Sequence, residues 1–135
     1  NLRRPNLHNI FNQSLNIGFS DILQNKNDPL DSIKLTEQNN LHVLTAGNAN
    51  TDLLHLFSNI SKTIKNKLES HYDWIIYDTA PIGEFSDSYF LRSLADSFVL
   101  NIQADKSKCR DVYIAVKSFK STDLTHLGTV LNWQK

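Results

Sequence analysis

The 135-residue chain carries four short apolar runs, and each ends on residues able to do chemistry. After residues 41–44 comes Thr45-Ala46-Gly47, after 74–77 comes Asp78-Thr79-Ala80-Pro81, after 98–102 comes Gln103-Ala104-Asp105, and after 127–131 comes Asn132. If the runs are strands of an open parallel sheet, these residues stand where such sheets bind ligands, beyond the carboxyl ends of the strands. Asp78 is the sharpest of them. A carboxylate at the tip of a buried strand can hold Mg²⁺ through a water beside the phosphates of a nucleotide; it can equally cap the loop or helix that follows. Pro81 stops the run and fixes the turn, and Gly83 leaves room for close approach. Asn132 offers an amide donor pair and an acceptor to the edge of a purine, and Asn after a strand is also a common turn residue. Arg3-Arg4-Pro5 is a short basic element suited to bidentate phosphate contacts, or to plain solvation.

Other chemistries lack their residues. His8, His42, His55, His71 and His126 have no metal-ligand spacing, and no G-x-S-x-G or H-E-x-x-H occurs. Cys109 stands alone, which excludes an internal disulfide framework and a multi-cysteine zinc site. The glycines lie at 18, 47, 83 and 128, so there is no G-x-x-x-x-G-K-S/T loop to cradle phosphates. A nucleotide held by Asp78 therefore needs a phosphate loop upstream of Asn1. Fourteen basic residues balance fourteen acidic ones, which removes the broad basic field expected of a nucleic-acid binder but does not count against ATP, for which a few placed charges suffice. No apolar run approaches the ~20 residues of a membrane-crossing helix. The chain opens on Asn1 and ends at Trp133-Gln134-Lys135, and is expected to be a soluble piece of a longer protein.

The elements that must position these residues follow from periodicity. The four apolar runs, rich in β-branched and aromatic residues, read as strands buried on both faces. Leu53, Leu54, Phe57, Ile60, Ile64 and Leu68 recur at helical spacing between Thr51 and Tyr72, with Lys62, Lys65, Lys67 and Glu69 on the opposite side. Asn50 or Thr51 can cap that helix, and Asp52 suits its dipole. A second helix is expected from Ser86 or Asp87 through Phe90, Leu91 and Leu94. A third, between Ser107 and Lys120, carries Val112, Tyr113, Val116 and Phe119 on its apolar side. Tyr72, Tyr77, Tyr89 and Tyr113 all lie in or beside apolar patterns, so most of them are expected in core or half-buried packing. The first forty residues, with Pro5 and Pro29, read as loops with one or two short helices, one starting at Gly18-Phe19-Ser20-Asp21. Alternating strands and helices predict an α/β domain, with a mostly parallel sheet and helices on both faces.

Taken in order, Asn1-Leu2-Arg3-Arg4-Pro5-Asn6-Leu7-His8, Ile17-Gly18-Phe19-Ser20-Asp21-Ile22-Leu23, residues 41–47, residues 72–81, Ser86-Asp87, Leu94-Ala95-Asp96 and residues 127–132 span nearly the whole chain. In this order they resemble the cytoplasmic catalytic domain of the bacterial tyrosine autokinases of capsule and exopolysaccharide biosynthesis, which belong with Min- and Par-type ATPases among the deviant P-loop proteins. The resemblance implies a P-loop NTPase-like fold of which residues 1–135 form the carboxyl-terminal part of a single kinase-like domain, the first strand and phosphate loop lying on the order of 40 residues upstream. It implies ATP and Mg²⁺ as cofactors, with Asp78 as the Walker B acid ordering the metal through water, Pro81 as its companion, Asp87 orienting the metal loop and Asn132 contacting adenine. Arg3-Arg4-Pro5 resembles the end of the second Walker A-like motif, making Asn1, Arg3 and Asp78 the catalytic candidates. The implied partner is a membrane-embedded polysaccharide chain-length regulator, with self-association and no nucleic acid, at the inner face of the bacterial plasma membrane in the cytoplasm. Three departures stand out. Asn1 replaces the motif's Asp, and an amide is no proton acceptor. Asn48-Ala49-Asn50-Thr51 replaces a Pro-rich stretch, and the Tyr-rich tail is absent. Three activities remain open on this reading: an ATP-dependent tyrosine autokinase, a catalytically impaired nucleotide-binding scaffold of the same fold, and a partition-type ATPase.

Overall fold

The computed structural model describes residues 1–24, 26–48, 57–82, 94–120 and 122–133. Its contacts divide the chain into two compact units, Asn1–Ala80 and Pro81–Lys135. None of the described helices is long and apolar enough to cross a membrane.

The first unit opens with a short helix, α1 (Leu7–Ile10), and is built around α2 (Phe19–Leu23), where the Gly18-Phe19-Ser20-Asp21 start was expected. A helix leaves its first backbone N–H groups without partners, and here a second segment supplies them. Phe19 N–H donates to the Thr45 carbonyl at 2.8 Å and Ser20 N–H to the Ala46 carbonyl at 2.9 Å. Asp21, three residues into the helix, reaches back with Oδ2 to accept the Gly18 N–H at 2.9 Å, one half of a capping box. Side-chain-free backbone on both sides permits this approach. A Cβ on Gly18 would lie 2.3 Å from the Gly47 nitrogen and the Thr45 oxygen, and one on Gly47 would lie 2.3 Å from Asp21 Oδ2. Gly47 also holds φ at +75°, a conformation that side chains disfavour. Ser20, Asp21, Ile22, Leu23, Val43 and Thr45 are buried around this clasp.

β1 (Lys34–Leu35) pairs antiparallel with β2 (His42–Val43), Lys34 opposite Val43 and Leu35 opposite His42. This corrects two expectations. The run at 41–44 does form a strand, but its ladder is antiparallel, and its partner lies in the segment read as loop. A two-residue strand containing Lys34 carries no periodicity to read. α3 (Phe57–Glu69) buries Ile64 and Leu68, one turn apart as the spacing predicts; the expected first turn with Asn50, Thr51 and Asp52 lies outside the described residues. Past its end, the Tyr72 hydroxyl meets His42 Nδ1 at 2.8 Å with the rings edge-on, tying the segment after α3 to β2. Lys67 of α3 is hydrogen-bonded to Asp28. That contact, and then the Leu30 N–H, hold the Asp28 carboxyl below its ordinary value.

The second unit is a β-α-β crossover. β3 (Ser97–Gln103), α4 (Cys109–Lys120) and β4 (Thr125–Asn132) fall where sequence spacing puts two strands and a helix. β3 and β4 are parallel from Ser97 opposite Thr125 to Gln103 opposite Asn132, with a bulge between Phe98 and Val99 that leaves Leu127 out of the pairing. α4 covers one face: Ala115 and Phe119 are buried, and the Phe119 ring lies 4.5 Å from that of Phe98, on which His126 stacks at 4.7 Å. Val99 and Val130, on the other face, are exposed, as are Leu127 and Leu131. The expectation of strands buried on both faces is thus corrected for β4. It is corrected again for residues 74–80, which run extended with no ladder among the described residues and leave Trp74 and Ile76 83% and 91% exposed. Of the described tyrosines, Tyr72 and Tyr77 are half-buried, as was expected of most of them, and Tyr113 is the exception, 67% exposed on α4. The expected helix from Ser86 lies outside the described residues.

Two outcomes follow from the first unit. Gly47→Ala, which adds a Cβ against Asp21 in a left-handed backbone, is expected to lower stability by about 1–3 kcal/mol, the usual scale of overpacking, measured by urea unfolding. Because the Asp28 carboxyl is lowered in the folded state, the stability it lends is present above the ordinary value of 3.8 and is lost as pH falls through its folded value. Asp28→Asn is therefore expected to be less stable than the parent at neutral pH, with the difference closing in acid; a difference independent of pH would show that the ion pair contributes nothing.

Candidate functional site

The strand-end residues have different fates. Thr45 is fully buried. Its Oγ1 lies 3.2 Å from the carbonyl oxygens of both Ser14 and Ile17 and accepts from Lys34 Nζ at 2.9 Å. Lys34 also donates to the Ser14 carbonyl. Burial pushes the Lys34 ammonium below its ordinary value, while the charge of Asp21 works in the opposite direction. Thr45 and Gly47 thus serve the clasp.

Asp78 is open. Its side chain is 53% exposed at the end of the extended run. The Asn1 backbone nitrogen donates to the Asp78 carbonyl at 2.6 Å. Asn1, whose side chain is 16% exposed, accepts the Arg4 N–H on Oδ1 at 3.1 Å. This local bond between a short polar side chain and the backbone three residues on folds residues 1–4 into a turn. The structure therefore brings together two residues 77 positions apart that sequence reasoning named separately. Arg3, in the same turn, is half-buried, and Arg4 is exposed. Pro81 is exposed at the start of the second unit, and Asp87 lies outside the described residues.

Asn132 ends β4 with its side chain exposed, and its carbonyl accepts the Ala104 N–H at 2.9 Å. Ala104 opens the turn from β3 to α4, in which Ser107 N–H donates back to Gln103 and Asp105 takes a φ of 60°, a conformation Asp tolerates better than most residues. In the second unit, then, the ends of both strands are fastened side by side, and the Asn132 amide stays available.

The donor set suits one kind of metal. Among the described residues, no three His, Cys, Asp or Glu side chains converge to hold an ion. Mg²⁺, however, keeps several waters and needs only one or two carboxylates beside substrate phosphates. One half-exposed carboxylate fits that demand. Apart from these residues, a cavity of about 330 Å³ lies in the first unit between Ile22 of α2 and Ile64 of α3, rimmed by the Lys67–Asp28 pair. It contains none of the residues nominated from the sequence, and no motif announces it.

Comparison with known proteins adds to this geometry. No protein-family model matches the chain. It is 36% identical over 132 residues to a Staphylococcus aureus protein provisionally named tyrosine-protein kinase CapB, covering 97% of this chain and 58% of that one. It is 27% identical over 135 residues to tyrosine-protein kinase YwqD of Bacillus subtilis, covering 99% and 57%. The chain is a homologue of the bacterial tyrosine-protein kinases. Among solved structures, the chimerical protein CapA2B2 superposes on this kinase homologue with a TM-score of 0.90 at 28% identity, covering 98% of this chain and 59% of that one. The VpsO kinase domain does so at 0.88 and 28%, covering 100% and 68%. The homologue thus has the α/β fold of these kinase domains, and it spans 57–58% of the length of the two relatives named.

The Asn1 turn can be tested directly. In the natural full-length protein, Asn1→Ala, which removes the acceptor for the Arg4 N–H, is expected to lower stability by about 0.5–1.5 kcal/mol. Asn1→Asp, which keeps an oxygen there, is expected to preserve it. Equal loss in both variants, by thermal unfolding, would show that Oδ1 does not hold the turn.

Proposed function

We propose that the protein containing this chain is an ATP-dependent tyrosine autokinase that regulates capsule or exopolysaccharide synthesis and export. The observation that carries the reading is the Asn1–Asp78 contact, which sets a half-exposed carboxylate at the end of an extended apolar run against a turn bearing Arg3 and Arg4. The long alignment with proteins named tyrosine-protein kinases supports the same class.

On this reading, Asp78 would hold Mg²⁺ through water, and Arg3 would offer positive charge to phosphate oxygens. Asn132 meets the adenine edge, Pro81 keeps the backbone after Asp78 from continuing as a strand, and Asp87 orients the metal loop. Bound Mg-ATP supplies the phosphoryl group and the charge neutralisation such a transfer needs. The phosphate loop comes from the part of the protein upstream of Asn1, as in a P-loop fold. The partner is a membrane-embedded chain-length regulator at the cytoplasmic face of the plasma membrane, and copies of the kinase associate to present tyrosines to one another. The balanced charge supports an absence of nucleic acid from this scheme.

One observation favours a second reading, a nucleotide-binding scaffold with impaired catalysis. Asn1 presents an amide beside Asp78, its oxygen is engaged with Arg4, and an amide cannot take the proton of an attacking hydroxyl.

Replacing Asp78 with Ala in the full-length protein distinguishes these readings from an unrelated role. Weaker Mg-ATP binding is expected under both. Under the kinase reading, tyrosine phosphorylation is expected to fall by roughly 10²–10³-fold, the scale for loss of one preorganised electrostatic group. Unchanged affinity and unchanged phosphotyrosine would reject the assignment.

A further inference from the structure

The tyrosines of the described residues differ in how far they are committed to the fold. The Tyr72 hydroxyl is bonded to His42. Tyr77 is half-buried, with a hydroxyl that water does not reach. Tyr113 is different. It sits on an amphipathic helix whose buried side is formed by Ala115 and Phe119, and at 100° per residue it lies roughly 160° round the helix from Ala115 and roughly 120° from Phe119. Tyr113 is 67% exposed. The chain leading to it is open as well: residues 105–111 are exposed throughout, as is Ile114.

The neighbours on that face are cationic. Arg110 precedes Tyr113 by three residues and Lys117 follows it by four, the two spacings at which helical side chains meet. Neither forms an ion pair among the described residues. Asp111, the acidic residue of the first turn, is two positions from Tyr113 and lies on a different side of the helix. An exposed phenol between two uncommitted cations is placed to receive a dianion, because a phosphate there gains charge-assisted hydrogen bonds from both sides without any backbone rearrangement.

We infer that Tyr113 is a phosphate acceptor within the folded domain. The inference rests on the kinase reading above and adds a substrate site to it. The donor is a nucleoside triphosphate: a new bond forms between Tyr113 Oη and the γ-phosphorus as the bond from that phosphorus to the β–γ bridging oxygen breaks. The phenolic proton passes to solvent, and the nucleoside diphosphate leaves. The product is held by Arg110 and Lys117 on the outer face of α4.

The sequence makes the site easy to isolate. Trypsin cuts after Arg110 and after Lys117, releasing Asp111-Val112-Tyr113-Ile114-Ala115-Val116-Lys117, in which Tyr113 is the sole hydroxyl-bearing residue. The full-length protein is incubated with ATP and Mg²⁺, digested and analysed by mass spectrometry. ATP-dependent phosphate on this peptide, lost in Tyr113→Phe while labelling elsewhere is unchanged, is expected. Phosphotyrosine on other peptides with this one unmodified would overturn the inference and leave the kinase reading standing. No phosphotyrosine on any peptide would overturn both. A readout independent of catalysis is nitration by tetranitromethane, in which Tyr113 is expected to react before Tyr72; the reverse order would overturn the exposed placement on which the inference stands.

Discussion

The close approach of Gly18 to Gly47 is the constraint on which the first unit depends. Two backbone segments nearly thirty residues apart come within a distance that excludes a Cβ on either glycine. At that distance the first N–H groups of α2 find the Thr45 and Ala46 carbonyls, which removes the cost of burying unpaired donors. Several polar groups nearby are arranged by the same contact, although the Ser20 hydroxyl is buried there with no hydrogen-bond partner among the described residues. Asp21 closes on Gly18, Thr45 fastens residues 14–17, and Lys34 is drawn to Thr45 and Ser14. The energetic logic is that of a buried network, stabilising when its members are satisfied and costly when one is removed. It also fixes which strand end is free. Thr45 and Gly47 are consumed by the clasp, while Asp78, at the end of the extended apolar run, has a carboxylate still facing water.

The second unit is organised by a different economy. A parallel pair of strands usually has both faces covered, but α4 covers one face of β3 and β4, and the apolar contacts gather there around Phe98, Phe119 and Ala115. With its packing face on that side, α4 has an outer face that is exposed among the described residues, and that face carries Arg110, Tyr113 and Lys117. The residues with freedom to act on other molecules are those that the packing does not use.

Long periodic segments were legible in the sequence. β3, α4, β4 and the described part of α3 appear where apolar runs and helical spacing place them, because each has a sequence pattern several residues long. The start of α2 was legible through local chemistry, a glycine followed by a capping aspartate. Three features were not. β1 has two residues and no period. The antiparallel register of β2 is set by its partner rather than by its own sequence. The orientation of Tyr113 was misread because Val112, Tyr113 and Val116 look like one apolar stripe, whereas the helix turns Tyr113 away from it. At the candidate site, residue types were readable but proximity was not: nothing in the chain announces that Asn1 lies against Asp78, 77 residues on.

That proximity also weighs on whether an amide at position 1 abolishes transfer or only slows it. General-base assistance is worth roughly 10²–10⁴-fold when the proton moves early in the reaction. Phosphoryl transfer passes through a loose transition state in most analyses, with the phosphorus–leaving-group bond largely broken before the nucleophile is fully bonded. A phenol is also far more acidic than an alkyl hydroxyl, its pKa being about 10, so it needs less help at that point. The greater requirement is to hold the nucleophile and phosphate in line and to offset charge, and the Asn1 side chain contributes to that by holding the turn through Arg4. On these grounds, replacing an acid by Asn at this position removes a proton acceptor while keeping a geometric restraint. On the proposed kinase reading, the expected consequence is a slower kinase rather than an inert one.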